Sequence, residues 1–179
     1  TPRFYAEIIT RAGSKHDPKT NTGLAHYLEH LLFKGTESFG TIDFEKEKPL
    51  LDEISSLYEQ RSKEQNETRR QEIYTQINKL SIEASTFAVP NEMDRVYGNM
   101  GGQGINAHTW HEETVYKVDL PANRLIHWAK IESERFANPV FRLFHTELET
   151  VYEEKNRSLD NRGFIIYTAL NEQLFKNHP

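Results

Sequence analysis

Thr22-Gly23-Leu24-Ala25-His26-Tyr27-Leu28-Glu29-His30-Leu31-Leu32-Phe33-Lys34-Gly35-Thr36 is the stretch on which the reading of this chain turns. Leu24, Tyr27, Leu28, Leu31 and Leu32 fall at helical spacing, and Thr22 offers an N-cap, so a short helix is predicted over Gly23–Phe33, ended by Gly35. On a helix, residues four apart lie one turn apart on the same face. His26 and His30 can therefore grip one metal ion together. Glu29 neighbours His26 by the same geometry and is placed to take a proton from a metal-bound water without itself being a ligand. Two surface histidines on an ordinary helix would give the same five residues, and two imidazoles are one ligand short of a catalytic zinc site.

A second helix supplies the missing donor. Thr146 with Glu149 has the pattern of a capping box, so a helix is predicted from Thr146 to about Asp160. Glu147 and Glu154 are two turns apart on one face, whereas Glu149 and Glu153 point elsewhere. Two carboxylates on one face are costly unless a cation lies near. An exposed acidic helix satisfies the same periodicity, so spacing alone does not choose between these readings.

Outward from these two helices, Phe4 to Arg11 alternates as a half-buried strand, and a polar loop follows from Gly13 to Asn21 with Asp17-Pro18 as its turn. Between Asp43 and Val89 the chain is rich in Glu, Lys, Gln and Arg and holds no glycine. Leu50, Ile54, Leu57 and Tyr58 form one apolar stripe; Ile73, Ile77, Leu80 and Ala84 form another. Two antiparallel helices turning near Asn66 explain both, and residues 43–89 read as a helical hairpin inserted into the domain. Asn91 with Asp94 predicts the start of a short helix that stops at Gly101-Gly102. Ile105 to Val118 reads as a strand or bent strand pair, and Pro121 as the opening of a helix to about Phe136, broken at Asn138-Pro139. Gly163 separates the Thr146 helix from a last helix ending near Phe175. The predicted class is α+β: a largely antiparallel sheet packed by helices, one domain over 1–179.

Composition narrows the chemistry. The 179 residues include no cysteine, which removes disulfides, thiolate metal sites and cysteine nucleophiles, so any metal is held by histidine and carboxylate. The net charge of −5, with both signs mixed along the chain, speaks against a nucleic-acid partner. No run reaches the length a bilayer span needs. Thr1-Pro2 leads directly into a strand pattern, and Asn177-His178-Pro179 follows a helix, so the chain reads as a piece truncated at both ends.

These residues resemble the pitrilysin-like (M16, inverzincin) family of zinc metallopeptidases, whose signature is H-x-x-E-H. The Thr22–Thr36 stretch resembles the family's first block almost throughout. Asn106-Ala107-His108-Thr109, with Thr114 and Tyr116, resembles its substrate-strand block, and Glu147-Leu148-Glu149-Thr150-Val151-Tyr152-Glu153-Glu154 its third-ligand helix. The resemblance implies one Zn2+ held by His26, His30 and Glu154, with Glu29 as general base and Glu147 supporting the site from behind the ligands. It implies that Asn106 and Ala107 lie on an edge strand that pairs with an extended or unfolded peptide substrate. Glu154 lies well over a hundred residues beyond His30, more than the family's usual spacing, and the 43–89 hairpin accounts for the excess. The family's substrate-binding Arg and Tyr belong to a later domain. The resemblance therefore implies that this segment binds zinc but is a poor peptidase without the remaining domains of its parent chain or a partner subunit. The style of the three blocks leans toward a bacterial periplasm or cell envelope.

Other features carry less. His108 and His111 are three apart on a strand-like stretch, so they face opposite sides and do not easily share an ion. His16, His127, His145 and His178 read as isolated, surface or partly packed. Gly101-Gly102-Gln103-Gly104 lacks a following P-loop lysine and reads as a turn. The rival functions are a catalytically silent structural or binding subunit of the same family and a metal-free module that works through its hairpin.

Overall fold

The computed structural model describes residues 2–176; Thr1 and the C-terminal Asn177-His178-Pro179, including the histidine expected to be isolated, lie outside the described residues. The architecture is α+β, with a three-stranded antiparallel sheet and seven α-helices among the described residues. Strand β1 (Arg3–Thr10) pairs with β3 (Thr114–Pro121) from Arg3↔Pro121 to Thr10↔Thr114. β3 pairs on its other side with β2 (Gln103–Thr109), giving the order β1-β3-β2. The central strand is the most buried, with Val115, Tyr116, Val118 and Leu120 almost wholly covered. Ala6, Val118 and Leu120 meet Met93 and Tyr97 in the main core, with Phe4, Phe33, Phe39, Trp128 and Ile131 packed around them.

Helix α1 (Leu24–Leu31) buries Tyr27 and Leu31, while Leu24 and Leu28 of the predicted stripe stay largely exposed. α2 (Phe44–Lys63) and α3 (Glu67–Ser85) form an antiparallel pair with its own apolar cluster of Leu57, Ile73 and Ile77, flanked by Ile54, Tyr58 and Leu80. Asn66 caps α3 by accepting from the Arg69 N–H at 3.0 Å. α4 (Glu92–Asn99), α5 (Leu125–Ala137), α6 (Phe144–Leu159) and α7 (Arg162–Leu174) complete the chain.

Several predicted helix ends move, each for a local reason. Thr22 does not cap α1. Gly23 does, in the left-handed region at φ 92, and the buried Asp17 carboxylate reaches over to accept the N–H groups of Gly23 at 2.6 Å and Ala25 at 2.8 Å. Asn91 caps α4 with no side-chain hydrogen bond; Glu92 instead accepts from Gly40 N. Pro121 ends β3, and a 3-10 turn at Ala122–Arg124 intervenes before α5 begins. Gly163 lies inside α7, because Asn161 is the cap and accepts from the N–H groups of Gly163 and Phe164. The Thr146 capping box is absent: α6 starts two residues earlier, after Leu143 at φ 55. A leucine in the left-handed region costs about 1–2 kcal/mol, and its neighbour Arg142 supplies the restraint that holds it there. Arg142 is buried, and its guanidinium donates to both Glu47 carboxylate oxygens at 2.9 and 3.0 Å and to the carbonyls of Lys34, Thr36 and Phe39. Those three carbonyls lie in the tight turn after α1, where Gly35 at φ 106 is so close to the Phe39 carbonyl that a Cβ would collide at 2.3 Å. One side chain thus ties the end of α1, the start of α2 and the entry to α6.

Candidate metal centre

α1 packs directly against α6. Tyr27 fixes their registry: its hydroxyl donates to the Phe144 carbonyl at 2.6 Å, and its ring meets the Phe144 ring edge-on at 5.0 Å between centroids. Burial pushes the Tyr27 hydroxyl far above its ordinary range, reinforced by the nearby Glu147 charge, so it stays a donor. With that registry set, His26 and His30 project from one face of α1 toward Glu154 on the third turn of α6.

The two imidazoles face one another with Nε2 atoms 3.1 Å apart. Glu154 Oε2 lies 3.8 Å from His26 Nε2 and 3.5 Å from His30 Nε2. All three ligand atoms fall within 4.8 Å of one another. Ligands at zinc distances of about 2.0–2.1 Å in tetrahedral array are separated by about 3.3 Å, so the triangle matches what a single small cation requires. The donor set, two imidazole nitrogens and one carboxylate, is also one that zinc accepts in catalytic sites, which keep a further position open. Partial exposure of His26 and Glu154 leaves that side of the triangle accessible.

Behind the ligands stands Glu147. Its Oε1 accepts from His30 Nδ1 at 2.8 Å, and its Oε2 pairs with the Lys34 ammonium. That bond puts the His30 proton on Nδ1 and turns the Nε2 lone pair toward His26 and Glu154. The hydrogen bond to Glu147 holds the His30 imidazole above its usual value against the opposing effect of burial. Burial works to raise the Glu147 carboxyl, but the hydrogen bonds from His30 and Lys34 prevail and hold it below the ordinary range. Glu29 is buried and accepts the Thr109 hydroxyl on Oε2 at 2.6 Å. Lys34, Arg142 and the Thr109–Glu29 contact were not singled out from the sequence; each acts across a long stretch of chain, and no local pattern marks it.

The remaining candidates separate. Asn106 and Ala107 lie on β2, which pairs only with β3 among the described residues and is an edge strand, with Asn106 opposite Lys117 and Ala107 opposite Tyr116. Asn106 and His108 share the exposed face; His111 lies beyond the strand, its ring near Ser14 Oγ and Tyr167 OH. His16 accepts the Gly13 N–H, and His127 is exposed. His145, expected to be isolated, is engaged: Nδ1 lies 2.9 Å from the Tyr58 hydroxyl, and the ring packs among Tyr58, Tyr74 and Phe144. Gly101–Gly104 turns into β2, with positive φ at Gly101 and Gly104.

Part of the chain carries a likeness to peptidase family M16. Residues 2–50, which span β1 and α1, match the family model described as Insulinase (Peptidase family M16). Over 174 residues the chain is 21% identical to a protein of Rickettsia felis named an uncharacterized zinc protease, covering 96% of this chain and 30% of that protein. The fold is similar to the first half of the periplasmic protease PqqL from Escherichia coli, with a TM-score of 0.61 at 20% identity, over 98% of this chain and 28% of the other. Together these comparisons support a likeness to M16 peptidases, and the chain spans under a third of the length of the relatives it matches. No helix among the described residues is long and apolar enough to cross a membrane.

Proposed function

We propose that this chain carries the metal site of a zinc-dependent endopeptidase that cleaves extended or unfolded peptides. His26, His30 and Glu154 are the zinc ligands, Glu29 is the general base, and Glu147 orients His30. The observation that carries this reading is the meeting of three ligand atoms from two helices, with Glu147 locking one imidazole in the ligating tautomer. Bound zinc supplies an acidified water and an electrophile for the scissile carbonyl. Glu29, three residues beyond His26 on the same helix, would serve as the carboxylate that takes up a proton from a water held at that ion. The free edge of β2 at Asn106 and Ala107 takes the substrate main chain as an added strand. Residues 43–89 are an insertion outside this machinery, within one domain over 1–179. The remaining domains of the parent chain, or a partner subunit, complete the substrate site. The periplasmic name of the structural neighbour supports a place in the bacterial periplasm or envelope for this protein too.

Elemental analysis of the full-length protein tests the reading: one zinc per chain is expected, together with chelator-sensitive hydrolysis of an internally quenched peptide. A full-length protein that takes up no zinc after dialysis against it overturns the proposal. Zinc uptake without hydrolysis would mark the silent-subunit alternative as correct.

A further inference from the structure

Glu29 has two carboxylate oxygens, and the structure engages one of them. Oε2 accepts the Thr109 hydroxyl at 2.6 Å. The Thr109 proton has a second acceptor in range, Thr114 Oγ1 at 3.2 Å. Thr114 is buried and spends its own proton on the Ala12 carbonyl at 2.8 Å. Between a neutral hydroxyl at the longer distance and a carboxylate at the shorter one, the charge-assisted bond takes the proton. Thr109 is therefore a donor of fixed direction, held from behind by Thr114 and the start of β3.

Its position in the fold adds meaning to that bond. Thr109 is the last residue of β2 and lies on the same side of the strand as Ala107, opposite Asn106 and His108. The strand with the free edge thus ends on a hydroxyl that grips the carboxylate of the metal-site helix. We infer that Thr109 is a positioning residue: it fixes the Glu29 carboxylate through Oε2 so that Oε1 is the oxygen that receives the proton, and it ties that oxygen to the strand that aligns the substrate. Thr109 keeps its own proton throughout; the proton that moves passes from water to Glu29 Oε1. This inference rests on the proposed role of Glu29 as base.

The test uses the full-length zinc-loaded protein with Thr109→Val, which keeps the β-branched shape and removes the hydroxyl, and Thr109→Ser, which restores it. Residues that orient a metal-site group commonly contribute 10–100-fold, so Thr109→Val is expected to lower kcat about 10- to 100-fold with KM and zinc affinity within about twofold. Thr109→Ser is expected to recover most of the loss. A crystal structure of Thr109→Val should show the Glu29 carboxylate turned from its wild-type position, a readout that does not depend on turnover. In a Glu29→Gln background Thr109→Val should cost nothing further. A wild-type kcat in Thr109→Val, an undiminished penalty in the Glu29→Gln background, or no recovery in Thr109→Ser overturns the inference. If Glu29→Gln is itself fully active, the base assignment fails and the inference falls with it. If Glu29→Gln is inactive and Thr109→Val is not, the inference alone is wrong.

Discussion

Two charged centres meet the loops around α6, and they are built on opposite plans. Glu47 and Arg142 are both almost fully buried, and every arm of the guanidinium has an acceptor in a carboxylate or a carbonyl. A little further along, His26 and Glu154 are part exposed, and their ligand atoms converge with His30 Nε2 on one point. The first centre is saturated by the protein itself; the second has donor atoms left over, all aimed at one point. That contrast separates a structural ion pair from the cluster proposed to take an added cation, although both are combinations of carboxylate and base.

Experiments that exchange the behaviour of the two centres would break the comparison. The largest effect is expected for Glu29→Gln in the full-length protein: removal of a general base costs about 100- to 10,000-fold in kcat, while zinc content stays unchanged by elemental analysis. Arg142→Ala should instead lower stability by about 3–5 kcal/mol, measured by urea denaturation, because it strands the buried Glu47 carboxylate. Glu154→Gln should weaken zinc binding about 100-fold, at the upper end of what supporting residues give, whereas Glu153→Gln, on an exposed face of α6, should leave it unchanged in a competitive chelator titration. Equal effects of the two glutamates would mean that the α6 register is not what selects the ligand.

The smallest expected effect is a pH dependence at the contact between the hairpin and α6. Burial holds the His145 imidazole below its ordinary value of 6.5. The unfolded chain therefore takes up a proton first as pH falls, so this residue's contribution is intact above about pH 6.5 and declines as pH drops from there toward the lower folded value. The urea midpoint should fall more between pH 7.5 and 5.5 in the wild type than in His145→Gln.

Much of this arrangement is legible in the residues, and the part that is not has a common cause. The apolar stripes of Ile54, Leu57 and Tyr58 and of Ile73, Ile77 and Leu80 foretell two helices, because packing one face of a helix demands that period. The i, i+4 histidines and the two-turn spacing of Glu147 and Glu154 foretell which side chains share a face. Helix ends are harder. Thr22 and Thr146 have the right chemistry for caps, yet Gly23 takes the first place because Asp17 binds the N–H groups of Gly23 and Ala25, and Leu143 the second beside an Arg142 anchored to Glu47 and the turn after α1. The same reason hides Lys34 behind Glu147 and Thr109 behind Glu29: a hydrogen bond between distant segments leaves no periodic trace in either.

The Glu47–Arg142 bond also constrains the order of events during folding. It joins residues 95 positions apart, and the loop it closes must be immobilised before the bond returns any free energy. A clasp of that span is expected to form after the local helices, which places its strength in the barrier to escape from the native state rather than in the speed of reaching it. Stopped-flow traces of Arg142→Ala should accordingly show a faster unfolding limb beside a nearly unaltered refolding limb.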